Sequence, residues 1–113
     1  MTYQEIYDAL CETGLPVTLN RWDMPRIPDL PYIVFTYPQN NDFRADNINY
    51  AEIVQLEVGL YTKRKNIALE HSVEAVLTEH FGAFFKSSDY VPADAVQETL
   101  YTTEVAITNG EQN

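Results

Sequence analysis

Pro25, Pro28 and Pro31 recur at every third residue. Each lacks a backbone N–H and fixes its own φ, so the stretch after Trp22 is neither helix nor sheet interior and reads as an extended connector. The regular elements lie on either side of it.

Before the connector, Thr2 and Glu5 form a capping box. Tyr3, Ile6, Tyr7, Leu10 and Cys11 then recur with helical spacing until Gly14 and Pro16. A helix over residues 3–13 is expected, with Cys11 as a small core-facing hydrophobe that no basic partner activates. Residues 17–22 are a short strand candidate. Behind the connector, residues 32–37 are β-branched and aromatic and end at Pro38, while 53–61 alternate Val54, Leu56, Val58 and Leu60 with polar or small neighbours. These two strands are expected to form a hairpin across a polar Asn-rich loop at about 39–50, a length that is usually functional or mobile. A second helix over 66–81 has Asn66 as its N-cap and Leu69, Val73, Val76, Leu77 and Phe81 as its apolar stripe, and Gly82 ends it. Two more strands, 84–90 and 97–108, flank a turn at Val91-Pro92-Ala93-Asp94, with Thr99, Tyr101, Thr103, Val105 and Ile107 on one face. The tail 109–113 is expected to fray.

The order α-β-β-β-α-β-β predicts an α+β fold, two helices packed on a mostly antiparallel sheet of four or five strands. The 113 residues suit one domain, 1–113, and a hydrophobic fraction of 45% excludes a disordered chain.

Seventeen acidic against seven basic residues leave a net charge of −10, which repels a phosphate backbone and disfavours general nucleic-acid binding. Residues 66–113 hold Lys86 as their only base against eight acids. Cys11 is the only cysteine, so no intrachain disulfide forms, and the composition fits a cytosolic environment. The N-terminus lacks the pattern of a secretory signal, and no apolar run approaches the length of a membrane span.

A search for chemistry yields little. His71 and His80 are nine residues apart on one helix, and at about 100° per residue they point to opposite sides. His71, Glu70 and Glu74 read as a solvated helical face, and His80 as a packing histidine at the edge of the stripe. There is no Gly-rich phosphate loop, no serine elbow and no Cys-x-x-Cys, so no catalytic residue, cofactor site or metal site is expected. Two features remain. Lys63, Arg64 and Lys65 stand at a helix N-terminus, where positive charge opposes the macrodipole; they are either a solvated turn or the complement of an acidic patch on another subunit. Trp22 and Met24, among the prolines, are either a lid or an exposed interface anchor. Phe43 and Arg44 join this candidate interface set from the loop.

The layout of Gly14-Leu15-Pro16-Val17, the Trp22/Met24/Pro connector, Pro31-Tyr32-Ile33-Val34-Phe35, the loop with Ala45-Asp46-Asn47, the strand ending Val58-Gly59-Leu60-Tyr61-Thr62-Lys63, and the closing helix and hairpin resembles small tail-completion or tail-terminator proteins of long-tailed bacteriophages of Gram-positive hosts. The resemblance implies a virion structural protein, made in the host cytoplasm. It would form a ring of its own copies, expected to be a hexamer, that caps the head-proximal end of the tail tube, stops tube growth and presents a head-joining surface. The implied partners are the tail tube protein and a head-completion or connector protein; no catalysis, cofactor, sequence-specific nucleic acid or membrane is implied. The alternatives are a head-completion or neck connector protein of the same phage class, and a small cytosolic ligand-binding or enzymatic α+β domain using the cleft beside His71, Glu74 and the loop.

Overall fold

The computed structural model describes residues 1–38 and 52–108. Its elements are α1 (Tyr3–Cys11), β1 (Val17–Leu19), β2 (Tyr32–Thr36), β3 (Glu52–Thr62), α2 (Ile67–Phe81), β4 (Phe85–Val91) and β5 (Val96–Ile107), the succession and class expected from the sequence. The strands form one sheet in the order β1-β2-β3-β5-β4, parallel only between β1 and β2. β2 and β3 pair antiparallel as expected, Ile33 opposite Leu60 and Phe35 opposite Val58.

One face of the sheet is the core. Register carries Phe35 to Val58 and Val58 to Tyr101, and these residues are buried in one cluster with Ile6 and Leu10 of α1 and Val73 and Leu77 of α2. Each such aliphatic side chain contributes about 1.5–3 kcal/mol when taken from water. Both helices therefore lie on this face. The opposite face, with Val34, Glu57, Tyr61, Glu98, Leu100, Thr102 and Phe85, carries no helix and is half-buried or exposed.

Local signals set the element ends. The Thr2 hydroxyl accepts from the Glu5 N–H at 3.1 Å while the Glu5 carboxylate accepts from the Thr2 N–H at 2.8 Å, completing the expected capping box. Asn66 Oδ1 accepts from the Leu69 N–H at 3.0 Å, and Gly82 ends α2 at φ +80°, a conformation L side chains rarely adopt. Gly59 has a different reason. A Cβ there would stand 2.9 Å from the Tyr61 ring, because residues two apart on a strand share a face and the ring folds back over the glycine.

Three expectations need correction. Cys11 is exposed, not core-facing, because α1 buries Ile6, Ala9 and Leu10 and that choice of face rotates Cys11 outward. β1 stops at Leu19 instead of reaching Trp22: Asn20 turns the chain at φ 70° and its N–H reaches the Phe35 carbonyl at 2.8 Å. The β4–β5 turn lies one residue later than expected, with the Ala95 N–H donating to the Pro92 carbonyl at 3.2 Å. The loop expected at 39–50, including Phe43 and Arg44, and the fraying expected at 109–113 lie outside the described residues.

Candidate interaction surface

The connector returns across the open face of the sheet. Trp22 meets Tyr32 edge-on with ring centroids 5.8 Å apart, and Tyr32 meets Tyr61 at 5.6 Å. The Tyr61 hydroxyl then donates to Glu98 Oε2 at 2.8 Å. This row crosses β2, β3 and β5. Burial first, and then the Glu98 carboxylate, push the Tyr61 hydroxyl well above the usual phenol range. Trp22 is thus half-buried, a lid on the open face, and its Nε1 has no partner among the described residues. Met24 is the exposed residue of the pair at 78%. Beside it, Ile27, Pro28, Asp29 and Leu30 border an open groove of about 700 Å³ together with Lys63, Asp94 and Val96.

The basic triplet divides. Lys63 and Arg64 are exposed and take part in no ion pair among the described residues. Lys65 instead turns to its own chain, with Nζ 3.0 Å from Glu70 Oε2. This corrects the reading of Glu70 and Glu74 as a solvated face. Glu70 is 2% exposed, and Lys86 Nζ lies 2.9 Å from its Oε1 and 2.6 Å from Glu74 Oε2. The Tyr101 hydroxyl donates to the same Glu74 oxygen at 2.9 Å. Lys86 and Tyr101 are register partners on the core face of β4 and β5, which brings them beneath α2. Burial pushes both carboxyls up, but Lys86 with Lys65 at Glu70, and Lys86 with Tyr101 at Glu74, outweigh it and hold each below its ordinary value. The same carboxylates raise Lys86. A positive charge at the helix start is in this way neutralised by a glutamate of the first turn.

The histidines are separated as expected. His71 is exposed, while His80 Nε2 lies 2.9 Å from Glu12 Oε1 and pins α2 to the end of α1. Ligand atoms of Glu12, Glu79 and His80 fall within 4.8 Å of one another, a set of donors that sequence spacing could not reveal because Glu12 comes from the other helix.

Two aromatic surfaces were also not singled out in the sequence. Tyr3, Tyr7, Leu19, Phe35, Tyr37 and Val54 line an open groove of about 570 Å³ between α1 and the sheet. Tyr3 meets Tyr37 edge-on at 5.1 Å, and burial followed by Tyr3 pushes the Tyr37 hydroxyl up to about 12. The signal available was Tyr3 and Tyr7 one turn apart. On β4, Phe85 is 83% and Tyr90 54% exposed, and Phe85 borders a groove of about 650 Å³ with Phe81 and Phe84.

No protein-family model matches this sequence, and no curated protein does. The fold is shared with a chain of a solved structure described as the virion of native gene transfer agent (GTA) particle. The likeness has a TM-score of 0.64 at 12% sequence identity and covers 96% of each chain. At that identity it establishes the common fold. Among the described residues no helix is long and apolar enough to cross a membrane.

Proposed function

We propose that this chain is a structural component of a phage-type virion, a ring of like copies at the head-proximal end of a tail tube that ends tube growth and forms the head-joining surface. The observation that carries this is the shared fold with a chain of a gene transfer agent virion over 96% of both chains; the tail-terminator layout of the sequence supports the finer station. The chemistry of the surface agrees. Lys86, Glu70, Glu74 and Tyr101 satisfy one another beneath α2, and His80 is held by Glu12, a pattern suited to a scaffold and not to turnover. The open sheet face carries Glu57, Glu98, Glu104 and Asp89, a wall along which DNA passes without adhering. Met24, Lys63 and Arg64 are the exposed residues offered to neighbouring subunits.

Immunogold labelling of purified particles with antibody to this chain tests the reading. Label confined to the head-proximal end of the tail is expected. Particles without label overturn the virion role, and label along the tube or on the head overturns the station.

A further inference from the structure

β4 runs Phe85-Lys86-Ser87-Ser88-Asp89-Tyr90-Val91 and pairs with β5 without a bulge. On its other side the sheet order places no strand among the described residues. Every residue but Val91 is exposed, so a row of backbone N–H and C=O groups faces solvent, with Phe85 and Tyr90 as large exposed rings beside it. Such an edge templates another strand, and proteins that keep edges free shorten them, bulge them, or set proline or charge along them. β4 is seven residues long and proline-free. Its lysine is already neutralised by Glu70 and Glu74, which leaves Asp89 as the one charge along the strand without an ion pair among the described residues.

We propose that β4 is the seam of a two-fold dimer, pairing antiparallel with β4 of a second copy about Ser88. A two-fold axis normal to the sheet keeps each face with the same face of the second copy, so only registers centred on a residue are allowed. Centring on Ser88 uses the whole strand. On the open face Phe85 then meets Val91 and Ser87 meets Asp89 of the second copy; on the helix face Lys86 meets Tyr90. Apolar side chains oppose apolar ones, a carboxylate opposes a hydroxyl, and the aliphatic stem of Lys86, its ammonium held by Glu70 and Glu74, opposes an aromatic ring. Neighbouring registers lose this match. Centring on Asp89 sets two carboxylates face to face, and centring on Ser87 sets Phe85 against Asp89. The contact closes after two copies, so it is distinct from any contact that closes a ring and does not rest on the virion reading.

Sedimentation velocity of the full chain is expected to show a species of twice 13.0 kDa in concentration-dependent equilibrium. Its share rises with salt, because each copy carries a net charge of −10. Phe85→Lys changes a side chain that is 83% exposed; it should weaken dimerisation at least about tenfold with an unchanged circular dichroism spectrum. The register is tested by cross-linking in a Cys11→Ser background. Ser88→Cys should oxidise to a covalent dimer, since directly opposed antiparallel residues lie about 4.5–5.5 Å apart at Cα, within disulfide reach. Ser87→Cys, which faces Asp89, should not. Should Ser88→Cys fail to fold, Phe85→Lys decides alone. A wild-type chain with no dimer at any concentration, a dimer that Phe85→Lys leaves unchanged, or equal cross-linking at 87 and 88 overturns the proposal.

Discussion

Lys86 Nζ lies 2.9 Å from Glu70 Oε1, and Glu70 is 2% exposed. The only Lys or Arg beyond residue 65 is thus committed to a carboxylate the fold has taken out of water. A buried charge persists only when paired, so α2, β4 and β5 are tied together at this point by electrostatics as much as by the apolar core.

Lys86→Met is therefore expected to destabilise the fold by about 2 kcal/mol. Loss of one partner of a buried pair costs about 3–5 kcal/mol, discounted because Lys65 still holds Glu70 and the Lys86 side chain is 34% exposed. Urea unfolding of Lys86→Met, Glu70→Gln and the double variant checks this. The double variant should recover part of the loss, since it leaves no uncompensated charge.

The same network sets an acid limb. Glu70 and Glu74 have folded pKa values below the ordinary 4.5, so in the window between folded and unfolded values the unfolded chain binds more protons. Their stabilisation is complete above that ordinary value and is lost as pH falls through the folded ones. Lys86 is raised, so its share is present below its ordinary 10.5 and lost as pH climbs through the folded value. Urea midpoints measured from acid to neutral pH should fall steeply at the acid end for wild type, and less so for Glu70→Gln/Glu74→Gln.

What the sequence made legible follows from how far each signal reaches. The capping box at Thr2 and Glu5, the N-cap at Asn66 and the alternation of β3 are local, and each appears where expected. The side on which Cys11 falls is not local: a nine-residue helix with Tyr3 and Tyr7 beside Ile6 and Leu10 offers two apolar faces, and the sheet chooses between them. Glu70 and Glu74 looked solvated because their partner Lys86 lies beyond the end of the helix and arrives only through β4. Phe85 and Tyr90 carry no sequence signal of their exposure, since which strand becomes an edge is a property of sheet order and not of spacing.

Gly59→Ala is expected to cost about 1–3 kcal/mol. Its Cβ would meet the Tyr61 ring at 2.9 Å, and moving the ring breaks the hydrogen bond to Glu98. Thermal unfolding of Gly59→Ala, Tyr61→Phe and their combination separates the two contributions. If displacement of the ring is the cause, the combined loss is smaller than the sum.

Chelator is expected to leave the thermal midpoint unchanged, because Glu12 and His80 already satisfy each other at 2.9 Å across α1 and α2 and Glu12 is largely in water. His80→Ala should cost less than about 1 kcal/mol, the range of an exposed pair. Calorimetric scans with and without chelator, and elemental analysis of dialysed protein, provide the check. A midpoint lowered by chelator would assign Glu12, Glu79 and His80 a structural metal.

The last prediction separates fold from assembly within the basic triplet. Lys65 is bound to Glu70 at 3.0 Å, so Lys65→Glu sets a carboxylate against a buried carboxylate and should lower stability by about 2 kcal/mol. Lys63 and Arg64 are exposed without an ion pair among the described residues, so Lys63→Glu/Arg64→Glu should change stability by less than about 0.5 kcal/mol. Copies of a chain with net charge −10 repel one another, and among the described residues these two cations, like Arg21 and Arg26 at the connector, are exposed and outside any ion pair, free to offset that repulsion in a ring. The double variant should fold normally and assemble poorly at low salt. Mass measurement across a salt series reads the outcome: association through Lys63 and Arg64 weakens in wild type as salt screens it, whereas association through apolar contacts strengthens and is indifferent to the double substitution.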